Sequence, residues 1–165
     1  MQEIPHFDNH IHHSQKTRTM TIALGSDHAG FRYKSAIADF LRSSGHMVED
    51  FGTHSLDSVD YPDFAAAVGR AVAEKKVEFG VLVCGSGIGV SITANKVSGV
   101  RAANCLTVEM AQLARQHNNA NVVTLGERLV SLEMAQAIVE AFLSTPFEGG
   151  RHEKRVEKIH ALTER

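Results

Sequence analysis

Phe79-Gly-Val-Leu-Val-Cys84-Gly-Ser-Gly-Ile-Gly89 is an apolar run of strand length that ends on a cysteine and opens directly into a glycine-rich turn. A continuous apolar run bounded by a turn reads as a strand buried on both faces, the kind found inside parallel sheets. A helix follows at once, carrying Ile92, Ala94 and Asn95. Strand, glycine turn and helix in that order make a βα unit.

The same alternation runs outward in both directions. Upstream, a strand is predicted over 20–25, then Ser26-Asp27-His28-Ala29-Gly30 and a helix to about Ser43. Phe31, Ala36, Ile37, Phe40 and Leu41 keep helical spacing there, and Gly45 is the stop signal. A second strand over 46–51, a polar loop through Asp60-Tyr61-Pro62 and a helix over 63–76 lead back to Phe79. Downstream, strands over 100–105 and 121–125 are each followed by a helix. The first begins at Thr107 and ends near Gln116-His117-Asn118-Asn119, and the second begins at Ser131. Pro146 and Gly149-Gly150 break the pattern before a highly charged helix over 151–162. Strands alternating with helices of this length predict a five-stranded parallel sheet covered on both faces, a Rossmann-like (flavodoxin-like) three-layer α/β/α sandwich. The expected strand order is 2-1-3-4-5. Ligands of such sheets sit beyond the carboxyl ends of the strands at the switch point. Asp27, His28, Cys84 and Ser86 would therefore converge on one crevice.

The bulk properties narrow the function classes. A chain of 165 residues with 43% apolar and 22% charged residues is expected to form one soluble domain, here 20–165. A net charge of −2 offers no basic field, so no nucleic-acid partner is expected. No apolar run approaches the ~20 residues of a membrane span. Two cysteines, Cys84 and Cys105, give no disulfide framework and fit reduced thiols in a cytoplasmic protein. Residues 1–19 have neither helical period nor apolar core, and read as a disordered tail. Its His6, His10, His12 and His13 are at most an opportunistic metal binder.

Each chemical candidate has a plain structural counterpart. Cys84 is either a small core hydrophobe or a base or nucleophile, favoured as thiolate at a helix start. The backbone N–H groups of Gly85, Ser86, Gly87, Ile88 and Gly89 either form a tight turn or hold an anion. The turn lacks the glycine at the sixth position that a dinucleotide fingerprint needs, and no Gly-Lys-Ser/Thr follows as in a phosphate-binding loop. Asp27 and His28 are an acid–base pair or a helix cap with its neighbour. His117 lies at a helix end, where a surface histidine is ordinary, and Asn118 and Asn119 are good helix terminators. Arg151 and Arg155 lie one helical turn apart, suited to gripping a phosphate or simply facing water beside Glu153 and Lys154. Cys105 has no glycine turn after it and reads as structural.

Taken together, six ordered motifs are similar to the type B ribose-5-phosphate isomerase family, within a wider group that includes galactose-6-phosphate isomerase subunits. They are Gly25-Ser-Asp-His-Ala-Gly30, Asp60-Tyr-Pro62, Cys84-Gly-Ser-Gly-Ile-Gly89, Ala94-Asn-Lys96, Arg115-Gln-His-Asn-Asn119 and Glu148-Gly-Gly-Arg-His152. The resemblance spans about Met20 to the C-terminus. It implies a dimer or dimer of dimers with shared active sites, no metal or organic cofactor, and interconversion of ribose 5-phosphate and ribulose 5-phosphate through an enediol, a step of the pentose phosphate pathway. By the same resemblance Cys84 is the proton-transferring base and Ser86 replaces the usual threonine. Some relatives instead use a glutamate at the position held here by Val90. His117 opens the sugar ring, with its equivalent in family dimers coming from the partner subunit, and Asp27 positions hydroxyls. His28, Arg128, Arg151 and Arg155 are the phosphate contacts, and Tyr61 and Asn118 line the substrate pocket. A hexose 6-phosphate, allose or galactose, is the alternative substrate. A non-catalytic phosphate-binding module and a Cys84 redox protein are the other classes.

Overall fold

The computed structural model describes residues 18–163, so the histidine-rich tail read over 1–19 lies outside the described residues save for its last two. Five strands form one all-parallel sheet: β1 (Thr21–Ser26), β2 (Met47–Asp50), β3 (Phe79–Cys84), β4 (Ala102–Asn104) and β5 (Val122–Gly126). The helices are α1 (Phe31–Ser43), α2 (Tyr61–Ala73), α3 (Ile88–Ala94), α4 (Val108–Asn118), α5 (Leu132–Ser144) and α6 (Arg151–Thr163). Among the described residues no helix is long and apolar enough to cross a membrane.

Side chains alternate across the strands and divide the core into two layers. On one face Ile22, Leu24, Val81, Val83, Val123 and Leu125 meet Ile37 and Leu41 of α1, Ala111 of α4, and Ile138 and Phe142 of α5. On the other, Ala23, Leu82, Cys84 and Val122 meet Ala65, Val68 and Val72 of α2 and Val90 and Ala94 of α3. This is the three-layer sandwich expected from the alternation of elements. Cys84 and Cys105 fall in opposite layers.

The strand order is β2-β1-β3-β5-β4, which corrects the expected 2-1-3-4-5. β5 is buried at all five positions and pairs with β3 on one side and β4 on the other. β4 has three half-buried residues and takes the edge. A short, partly exposed strand belongs there, where one row of backbone groups stays unpaired. The adjacency of β1 and β3, on which the crevice depends, stands as expected, with Ser26 opposite Val83.

Helix ends follow local chemistry. The Thr107 and Ser131 hydroxyls accept the Met110 and Met134 N–H groups at 3.2 and 3.1 Å, capping α4 and α5. α2 begins two residues earlier than its period suggested. Pro62 sits in its first turn, where the missing N–H has no helical partner to lose.

Candidate active site

The loops that leave β1, β3 and β5 enclose a crevice of about 390 Å³ lined by Asp27, His28, Tyr61, Cys84, Ser86 and Arg128, with Gly85 and Gly89 in its wall. They converge because α1 starts hard against the end of β3. A β-carbon on Gly30 would collide with the Val83 carbonyl and lie 2.9 Å from the Cys84 nitrogen, so only glycine admits this approach. The β5 loop is tied down next to it. The Glu127 N–H donates to the Cys84 carbonyl (2.9 Å), and the Arg128 N–H to that of Gly85 (3.1 Å). The Glu127 carboxylate accepts the Tyr33 N–H in the first turn of α1 (3.1 Å). These bonds hold the Arg128 guanidinium over Gly85, its Nη1 3.2 Å from where a β-carbon would stand.

Cys84 is 5% exposed, and the Gly87 N–H donates to its Sγ at 3.1 Å. Gly87 has φ of +76°, the left-handed conformation that favours glycine, and a β-carbon there would collide with Asn104 Oδ1. The Ile88 N–H donates to the Ser86 Oγ at 3.3 Å. Two of the five N–H groups expected to hold an anion are thus engaged within the loop. Those of Gly85, Ser86 and Gly89 have no partner among the described residues.

His28 accepts the Val59 N–H at Nδ1 (3.2 Å), which leaves the proton of the neutral ring on Nε2. Asp27 is buried, and its Oδ1 accepts the Gly30 N–H at 3.0 Å, so one of its oxygens serves the loop. Behind them Lys34, only 1% exposed, donates to both Asp50 oxygens (2.6 and 2.7 Å) and to the Thr53 carbonyl (2.7 Å). This buried pair fastens α1 to the β2–α2 loop that carries Val59 and ends at Tyr61.

His117, Asn118, Arg151 and Arg155 do not line this crevice. His117 lies in the last turn of α4, a turn held by the buried Arg115, which donates to Asn119 Oδ1 (2.9 Å) and the Ala120 carbonyl (2.5 Å). Its ring stacks on that of His152 from α6, with centroids 4.3 Å apart and planes 9° from parallel. The Glu148 carboxylate stands 4.0 Å from His117 Nε2 and 3.6 Å from His152 Nε2. His152 is held below the usual histidine range, first by burial and then by the charge of His117. Arg151 and Arg155 are exposed at the start of α6. Cys105 is 1% exposed and its thiol is pushed up to about 11 by burial, a core residue in keeping with its structural reading from the sequence.

The family model described as Ribose/Galactose Isomerase matches residues 22–159. The chain belongs to the ribose/galactose isomerase family. Within that family it is 49% identical to ribose-5-phosphate isomerase B of Escherichia coli over 87% of this chain and 97% of the relative. Among solved structures, a ribose-5-phosphate isomerase B of Clostridium thermocellum superposes with a TM-score of 0.87. The two are 50% identical, covering 88% of this chain and 98% of that one. The family enzyme of Mycoplasma genitalium, solved with bound ribulose-5-phosphate, gives 0.84 at 42% identity, covering 87% of this chain and 96% of that one.

Three features of this family member escaped the sequence reading. Lys34 looks like a surface lysine on an amphipathic helix, and nothing near it marks a buried ion pair. Asn104, whose Nδ2 donates to the Ser86 carbonyl (3.4 Å) and whose Oδ1 accepts from Thr124 (3.3 Å), falls inside the strand predicted over 100–105 with nothing in the sequence to single it out. Glu148 and His152 were visible only as part of a motif. Their meeting with His117 depends on how α6 returns to α4.

Proposed function

We propose that this chain is a cytoplasmic aldose–ketose isomerase that interconverts ribose 5-phosphate and ribulose 5-phosphate through an enediol. The observation that carries this is the Cys84 thiol at the crevice wall, its sulfur met by the Gly87 N–H, in a crevice that Arg128 and His28 also line. Proton abstraction next to a carbonyl needs a base, donors for the developing oxyanion, and a grip on the rest of the substrate. The crevice offers all three.

Cys84, as thiolate, takes the proton from C2 and returns it to C1. The enediolate charge rests on the N–H groups of Gly85, Ser86 and Gly89, and the Ser86 hydroxyl passes a proton between the two oxygens. One such donor is typically worth ~3 kcal/mol. Arg128 and the Nε2–H of His28 suit phosphate oxygens, and the remaining Asp27 oxygen and Tyr61 face the sugar. Ring opening falls to His117, and Arg151 and Arg155 complete the phosphate grip with Asn118 beside them. Those four residues lie outside the crevice, which supports a homodimer, alone or doubled, in which one copy supplies them to the other's site. Ile88, Ile92, Met110 and Leu113 on α3 and α4, the helices that flank the β4 edge, are exposed apolar residues suited to such a contact.

The test is initial-rate isomerisation of ribose 5-phosphate, allose 6-phosphate and galactose 6-phosphate by the wild type and by Cys84→Ala. Preference for the pentose, with turnover lower by about 10²–10⁴ in the variant, is expected for loss of a general base. Preference for a hexose would keep the chemistry and change the substrate. Wild-type turnover in the variant would overturn the assignment of Cys84.

A further inference from the structure

We propose that His117, Glu148 and His152 form a site for one zinc-class divalent ion, and that its occupancy shuts the isomerase off by engaging the nitrogen needed for ring opening. The ligand atoms, two imidazole nitrogens and one carboxylate oxygen, all lie within 4.8 Å of one another. Tetrahedral zinc with bonds of about 2.0–2.1 Å to nitrogen and oxygen places its ligands roughly 3.3 Å apart. The separations of 3.6 and 4.0 Å from Glu148 to the two rings are already close to that. Both Nε2 atoms face the same Glu148 oxygen. The rings are stacked 9° from parallel, so binding requires the half-buried His117 ring to turn out of the stack until its in-plane lone pair meets that of the buried His152, while the exposed Glu148 carboxylate closes on both.

The donor set selects the ion. Two imidazoles and one carboxylate suit zinc and its neighbours over magnesium or calcium, which prefer oxygen alone. Three protein ligands leave a fourth position for water or a substrate oxygen. Burial favours the neutral, ligating form of His152. The charges of Arg151 and Arg155 oppose a cation, and Glu148 offsets them in part. The site spans the ends of two elements, α6 with the segment before it and the last turn of α4, so the ion would also clamp His117 in place. Its Nε2 lone pair would then be unavailable to the sugar.

The binding half stands on this geometry alone, whereas the inhibitory half rests on the isomerase reading. The experiment is therefore calorimetric titration of the full-length chain with zinc chloride, beside zinc inhibition of ribose 5-phosphate turnover. Both are run on the wild type, Glu148→Gln and His152→Ala, because the buried histidine variant could disturb folding and the exposed glutamate variant should not. The tail histidines contribute equally to all three proteins, so the difference between them isolates the site. The wild type should bind one more zinc equivalent than His152→Ala. Glu148→Gln should bind that equivalent at least ~10-fold more weakly, as loss of even an outer-shell partner does. Zinc should stop wild-type turnover over the same concentration range, a chelator should restore it, and Glu148→Gln should need correspondingly more metal. Identical titrations for all three proteins would overturn the site. Zinc bound with the predicted difference but turnover undiminished would overturn the inhibition. If the metal-free wild type turns over no sugar phosphate, the isomerase reading fails and takes the inhibition with it, while calorimetry still decides the binding.

Discussion

The two cysteines show how position decides the chemistry of a residue. Cys84 ends a strand where the chain must turn, so its sulfur meets a backbone N–H and a crevice. Cys105 sits just beyond the edge strand, in the opposite core layer, where burial alone keeps it protonated. A thiol-reactive disulfide reagent at pH 8 should therefore modify one thiol per native chain and two after denaturation. Cys84→Ala should abolish the native reaction, and equal rates for both cysteines would contradict the burial of Cys105. At this scale much of the crevice was legible in the sequence, because Asp27, His28, Cys84 and Ser86 follow strand ends, where parallel sheets place their ligands. The His117–His152 stack was not, since those rings are far apart in the chain and meet only through packing.

Between elements, the crevice depends on how closely α1 approaches β3 and how firmly α1 holds the β2–α2 loop. Gly30→Ala should force the helix away from the Cys84 backbone. The expected cost is ~1–3 kcal/mol of stability, as for other overpacked sites, with a fall in turnover from the displaced thiol. Unchanged melting and turnover would place the contact elsewhere. Lys34→Met removes one partner of a buried ion pair and should cost about 3 kcal/mol, at the low end because Asp50 keeps some contact with water. That corresponds to a melting temperature lower by roughly 6–12 °C for a chain of this size; no change would mean the pair is dispensable. The order of β4 and β5 could not be read from the alternation of elements, which gives their sequence along the chain but not their lateral placement. The signal was there in weaker form, since Val122-Val-Thr-Leu-Gly126 is the more apolar of the two strands and a fully buried strand belongs inside.

On the scale of the whole molecule, the separation of the crevice from His117, Asn118, Arg151 and Arg155 makes assembly part of the catalytic hypothesis. Ile92→Asp would put a charge among the exposed apolar residues that flank the β4 edge. It should shift sedimentation toward the monomer and remove turnover together, whereas an active monomer would show that one chain suffices. The sharper test mixes Cys84→Ala with His117→Ala after co-refolding and measures ribose 5-phosphate turnover against each variant alone. In a symmetric dimer with shared sites, half the pairs are mixed and each carries one intact site, so activity should recover to about a quarter of wild type. A mixture no more active than its components would contradict a site built from two copies.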